Sequence, residues 1–179
     1  MQIPKIVTKQ LILRGFEEND LDAYAEMCGD VEVMRYVGSG QTMTRSDSWR
    51  SMAMMLGHWY LRGYGFWAVE QRRTGEMIGR VGCWQPEGWL GFEVGWMIRR
   101  AFWGRNFATE AGSAAMEYAF EELQQPRVIS IIQPENIASR RVAEKLGEKL
   151  EGTAKVLGQE TVIYAISRKE WENRSSKLI

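Results

Sequence analysis

The stretch EVGWMIRRAFWGRNFATEA, residues 93–111, changes its period halfway along and so decides the fold. Its first part alternates as a strand. Val94, Trp96 and Ile98 point one way, while Glu93, Gly95 and Met97 point the other. Gly104 permits a tight turn, and a helix rich in small residues begins at Phe107 and runs to about Leu123. The apolar run RVISIIQ, residues 127–133, follows and is stopped by Pro134. A strand, a helix and a second strand in this order favour a parallel pair.

Upstream, GFWAVEQ (65–71) and EMIGRVGCW (76–84) are strands joined by RRTG, and WLGFEVGWMI (89–98) is a third. Together they predict an antiparallel meander. KQLILRGF supplies a strand from Gln10 to Phe16. EENDLDAYAEMCGD reads as a short helix capped by Asn19, with Leu21, Tyr24, Ala25 and Cys28 on one face. A longer helix spans Arg45 to Leu61, capped by Thr44 or Ser46 and ended by Gly63. Its apolar stripe is Trp49, Met52, Leu56, Trp59 and Tyr60. Downstream, NIASRRVAEKLG is a helix between Asn136 and Gly147, and TAKVLGQETVIYAIS closes the chain as a hairpin turning at LGQE. The sum is an α+β fold in one domain, 1–179, with a mixed, mostly antiparallel sheet of about six or seven strands flanked by helices.

Bulk properties narrow the function. The 179 residues suit one domain, and 23 basic against 23 acidic side chains leave no basic excess for nucleic acid. Cys28 and Cys83 make no disulfide framework and read as buried small hydrophobes; one histidine, His58, argues against zinc. The start MQIPKIVTKQ lacks the apolar run of a leader, and no segment reaches the ~20 apolar residues of a membrane span. The expectation is a cytoplasmic protein without metal, membrane or nucleic acid.

Two features carry chemistry. The turn WGRNFATEA ends in a helix start, where orphan N–H groups and the peptide dipoles suit a phosphate. Asn106 tolerates a left-handed backbone, Ala108 keeps the approach clear, Thr109 adds a hydroxyl, and Arg99, Arg100 and Arg105 flank the turn. The same residues also describe an ordinary helix capped by Asn106 among solvated arginines. Glu93, between Gly91 and Gly95 on its own strand face, is either a carboxylate with space for a ligand or a solvent-facing edge residue.

EVGWMIRRAFWGRNFATEA followed by IIQPENIASRRVAEKLGEKLEG closely resembles the GNAT superfamily of acetyl-CoA-dependent N-acetyltransferases. LILRGFEENDLDAY and GEMIGRVG are similar to its branch of ribosomal-protein N-terminal acetyltransferases, so the likeness runs from about Leu11 to Trp171. The resemblance implies the GNAT fold, with a splayed strand pair forming the acetyl-CoA cleft. It implies a Gln/Arg-x-x-Gly-x-Gly/Ala turn around the CoA pyrophosphate, mapped here onto Trp103, Asn106 and Ala108. Asn106 departs from the usual glycine. Its side chain could crowd the phosphate or cap the amides. The implied cofactor donors are the backbones of Arg105, Asn106, Phe107, Ala108 and Thr109, with Trp96, Met97 and Ile98 holding the pantetheine arm and supplying an N–H to the thioester oxygen.

Glu93 would be the general base, because a protonated amine cannot attack a thioester. Asn136 suffices as a helix cap, but the resemblance adds an Asn-x-x-Ser pair, Asn136 and Ser139, reaching the cofactor. Many relatives place a tyrosine where Ala143 stands, so Ser139 or water is left as the acid for the leaving thiolate. Arg140 or Arg141 either contacts the 3′-phosphate or is solvated. Glu148 replaces an aromatic after KLG, a change the sequence does not explain. His58 is a second base or an idle exposed side chain. The acceptor is an amine, at a peptide N-terminus or on a small molecule such as an antibiotic or polyamine. A non-catalytic acyl-CoA sensor is the alternative of another class. The family also admits a homodimer.

Overall fold

A computed structural model describes residues 2–175. Eight strands form one sheet: β1 Ile6–Val7, β2 Leu11–Arg14, β3 Phe66–Gln71, β4 Glu76–Trp84, β5 Glu93–Ile98, β6 Arg127–Ile132, β7 Lys149–Val156 and β8 Gln159–Ser167. Their order is β1-β2-β3-β4-β5-β6-β8-β7, antiparallel throughout except for the parallel pair β5–β6. The strand beyond the expected six or seven is β1, two residues too short to show a period.

The helices are α1 Leu21–Gly29, α2 Val31–Met34, α3 Arg45–Arg62, α4 Phe107–Glu117, α5 Ile137–Leu146 and α6 Arg168–Ser175. On one face of the sheet, α4 packs its Ala111, Ala115 and Met116 onto Val81, Val94 and Ile98. On the other, α1 and α3 bury Tyr24, Met52 and Met55 against Phe66, Ala68 and Met97. The alternation expected along β5 holds: Val94 and Ile98 enter the first core and Met97 the second. Cys28 and Cys83 are free and buried.

Several local expectations change. Asn19 is not the cap of α1. Residues Glu18–Asp20 form a 3-10 turn, and Glu17 and Asp20 bond each other's backbone in a capping box. Thr44, not Ser46, caps α3 by accepting from the Asp47 amide at 3.1 Å. The buried side of α3 is Ser48, Met52, Met55, His58 and Trp59, whereas Trp49, Leu56 and Tyr60 are exposed. β5 begins at Glu93 and not at Trp89, because Trp89 closes a turn onto the Pro86 carbonyl and Leu90 faces outward. α4 ends at Glu117 and widens into a π turn, Tyr118–Glu122. The closing hairpin turns at Leu157 and Gly158, both with positive φ.

Candidate active site

β5 and β6 touch at one register, Glu93 opposite Ile129, and then part. The Ser130 hydroxyl, on β6, spans the start of the gap by donating to the Val94 carbonyl at 2.8 Å. The splay separates two cavities that share Tyr36, Val37, Trp96, Asn136 and Ser139 at their waist. One, of about 590 Å³, runs from Met97 and Ile98 to the start of α4. The other, of about 490 Å³, holds Glu93, Arg80, Trp84 and Trp89.

The first cavity ends on the turn before α4. Gly104 and Asn106 both have positive φ, 74° and 64°. The first intrahelical bond runs from the Glu110 amide to the Asn106 carbonyl at 3.0 Å, so the Asn106, Phe107, Ala108 and Thr109 amides have no intrahelical acceptor, and all four residues line the groove. Asn106 makes no side-chain cap; its Oδ1 accepts from Lys145 Nζ at 3.3 Å, which swings the side chain off the amides. Of the two expectations for this side chain, capping of the amides does not occur. Glu110 anchors the helix start by accepting from the Thr8 hydroxyl at 2.6 Å and the Gln10 amide at 2.7 Å.

Not all of the expected cations gather here. Arg99 pairs with Glu26 and Glu76, and Arg100 with Asp30, each partner lying on a distant segment. Arg105 stacks over Phe102. Arg140 is occupied by the Pro134 carbonyl and the Tyr164 hydroxyl. Arg141 and Lys145, from the exposed side of α5, do line the groove. Lys145 escaped the sequence reading; its position one helical turn beyond Arg141 was the available signal. The Trp103 indole donates to the Ile98 carbonyl at 2.7 Å and forms part of the wall.

In the second cavity Glu93 is half-buried. Its Oε2 accepts from the Trp89 indole at 2.7 Å. Gly95 leaves its neighbourhood open: a Cβ there would lie 3.5 Å from Glu93 Oε1 and 3.4 Å from the Phe66 ring. The space beside Gly91 is taken by Ile129 instead, so that glycine serves packing. Burial pushes the Glu93 carboxyl up to about 7, while the Trp89 N–H, the Ile131 amide and the Arg80 charge favour the ionised form. A carboxylate that titrates near neutrality can both take and release a proton.

Asn136 spends its Oδ1 on the Ser139 amide at 3.1 Å, capping α5. Both side chains line the waist. Ala143 is fully buried. His58 is not exposed: it is buried, stacks on Trp84 with centroids 4.3 Å apart, and its Nδ1 lies 2.7 Å from the Tyr64 carbonyl. Of the aromatics near this cavity, Trp84 and Trp89 line it, Trp59 is core, and Trp49 and Tyr60 are exposed.

Glu148 is the residue the sequence left unexplained. Gly147, at φ 92°, ends α5, and the Glu148 amide bonds back to the Ala143 carbonyl at 3.0 Å. This cap turns the following side chain inward, where an apolar group is usual. The residue is 3% exposed, and neither carboxyl oxygen has a hydrogen-bond partner among the described residues. Burial, and then the nearby Glu93, push it up to about 8.

A family model described as an acetyltransferase (GNAT) domain matches residues 10–149. YnaD of Bacillus subtilis (strain 168), named an N-acetyltransferase, is 33% identical over 172 residues, covering 93% of this chain and 98% of that protein. An acetyltransferase from Agrobacterium tumefaciens str. C58 superposes with a TM-score of 0.82 at 28% identity, covering 93% of this chain and 95% of that one. RimL, a ribosomal L7/L12 alpha-N-protein acetyltransferase solved with coenzyme A, shares the fold at TM-score 0.75 and 19% identity, over 92% of this chain and 97% of that one.

Proposed function

The chain belongs to the GNAT family of acetyl-CoA-dependent acetyltransferases, and from that premise we propose that it acetylates a primary amine directly, a protein N-terminal amine in the first instance. One observation carries this reading: a half-buried carboxyl, Glu93, titrating near neutrality in a cavity that meets the α4 groove at a common waist. The groove suits the cofactor, since its end offers orphan amides and a side chain already turned aside.

The amides of Asn106, Phe107, Ala108 and Thr109, with that of Arg105, cradle the pyrophosphate, and Arg141 and Lys145 add positive charge. The parted edge of β5 from Trp96 to Ile98 holds the pantetheine arm and directs an N–H at the oxygen that becomes negative. Acetyl-CoA supplies the acetyl group and a thiolate leaving group. Glu93 takes one proton from the ammonium, directly or through water, so that the neutral amine can attack. As the new C–N bond replaces the C–S bond the nitrogen loses its second proton, which balances the one the thiolate gains. An N-terminal amine, with a reference pKa of about 7.7–8.0, asks little of such a base. Ser139 at the waist, or water, returns a proton to the sulfur, and Asn136 fixes the helix start that positions Ser139.

The test is thiol release from acetyl-CoA over a panel of N-terminal peptides and small amines, run beside Glu93→Gln. Turnover with peptides, lost in Glu93→Gln while CoA affinity stays, is the expected result. Turnover restricted to antibiotics or polyamines would replace the peptide acceptor. CoA binding with no turnover on any amine would favour a sensor.

A further inference from the structure

Arg80 sits on β4, on the same sheet face as Glu93, and lines the same cavity. Among the described residues these two are the only lysine, arginine, aspartate or glutamate side chains in its wall. Arg80 has no hydrogen-bond or ion-pair partner among the described residues. No carboxylate of the described residues lies within ion-pair distance, and its Nε is buried with no acceptor. Its guanidinium lies 4.3 Å over the Phe66 ring, a contact that orients the group but accepts none of its protons. The nearby Tyr24 phenol and Cys28 thiol are both pushed up by burial, so neither supplies a negative charge at neutral pH.

Every other buried or half-buried arginine for which contacts have been described has an oxygen to bind. Arg14 holds Asp20 and Glu70, and Arg99 holds Glu26 and Glu76. A partly desolvated guanidinium with unused donors costs free energy unless an acceptor arrives with a ligand. The spacing defines that ligand. Arg80 pairs with Met97 across the sheet, four residues along β5 from Glu93. That places the two Cα atoms about 14 Å apart. The Arg80 guanidinium lies over the Phe66 ring, and Glu93 Oε1 lies beside Gly95, where a Cβ would touch that same ring, so the two side chains converge from opposite sides of Phe66.

We propose that Arg80 is a specificity-determining residue: the acceptor carries an anionic oxygen group a few bonds from the amine, which Arg80 binds while Glu93 faces the nitrogen. This rests on the acetyl-transfer reading of the same cavity. Two sources share the chemistry, an acidic side chain next to a peptide N-terminus and a small amino acid with separated amine and carboxylate.

The experiment uses two matched pairs, a peptide amide beginning Ser-Asp against its Ser-Asn counterpart, and gamma-aminobutyrate against its amide. Affinity for the CoA-loaded protein is measured by calorimetry and kcat/KM by thiol release. We expect a preference of about tenfold or more for the anionic member of at least one pair, and that pair identifies the source. Arg80→Gln should bring the preference to near one, and Arg80→Lys should keep part of it. Preferences within threefold for both wild-type pairs, or an unchanged preference in Arg80→Gln, would overturn the proposal. The wild-type ratio decides even where a variant fails to fold. Preferential binding without turnover would retain Arg80 as the anion site and count against acetyl transfer instead.

Discussion

Glu148→Gln should make the protein less sensitive to alkali, and the size of the effect follows from one buried group. Neither Glu148 oxygen has a hydrogen-bond donor; the nearby Ser130 hydroxyl gives its proton to Val94. The folded chain holds the Glu148 proton to about pH 8, whereas the unfolded chain releases it near 4.5. The fold therefore binds the extra proton, and its stability falls as pH rises through this window. At ~1.4 kcal/mol per pH unit the full effect is about 5 kcal/mol. Water reaching the ionised carboxylate reduces this, leaving ~2–3 kcal/mol. Urea unfolding of wild type and Glu148→Gln, followed by tryptophan fluorescence at pH 5 and pH 9, measures it. Other titrations, and the constant cost of a buried amide, largely cancel in the difference between the two proteins. The variant should gain ~2–3 kcal/mol on wild type between the two pH values. A change below about 0.5 kcal/mol would refute the reasoning, since it would mean that Glu148 is solvated or paired.

The remaining expectations concern turnover and cofactor affinity. With Glu93 titrating at about 7, kcat/KM should fall about tenfold per pH unit below that value, and Glu93→Gln should abolish this limb. Trp89→Phe removes the N–H that favours ionised Glu93, so a pH–rate profile should show the limb about one unit more alkaline, with activity recovering at high pH. Asn106→Gly should keep CoA affinity by calorimetry, whereas Asn106→Val should lower stability by about 1–2 kcal/mol in thermal melts, because φ 64° is costly for a branched side chain. Lys145→Ala should weaken CoA about three- to tenfold and flatten the salt dependence of binding.

Where local pattern and tertiary packing agree, the sequence was legible. The switch of period between β5 and α4, the glycine at the turn and the two capped ends of α5 are properties of neighbours along the chain, and all lie close to where the residues put them. The stripe of α3 failed for a physical reason. Apolar residues occur nearly all round it, so two faces compete. The choice falls to contacts invisible in one segment, such as Ser51 meeting the Tyr24 hydroxyl. The arginines failed in the same way, because Arg99 finds its carboxylates 23 and 73 residues away in the chain. Lys145 had only its helical spacing from Arg141 as a signal, and Arg80 gives no local signal at all; only the fold brings it to the cavity.

The two carboxyls near the splay are best understood as a pair. Below about pH 7 both hold their protons, and the first to be lost should come from Glu93. The Trp89 indole and the Arg80 charge favour the ionised form of Glu93, whereas at Glu148 burial and the Glu93 charge outweigh the nearby Ser130 hydroxyl and Arg127 charge. Once Glu93 is negative it opposes the second ionisation and keeps Glu148 neutral. A neutral neighbour lets Glu93 act as a base close to neutrality; a charged one would raise its affinity for the proton and slow its release. The aromatic expected after KLG would be neutral at every pH, so the charge beside Glu93 differs only above about pH 8, whereas the stability cost of Glu148 accrues between about 4.5 and 8, where the unfolded chain is ionised and the fold is not. Activity and stability should therefore move in opposite directions as pH rises towards 8 in wild type, activity climbing as Glu93 ionises while stability falls, and Glu148→Gln should remove the Glu148 share of that fall while leaving the acid limb of Glu93.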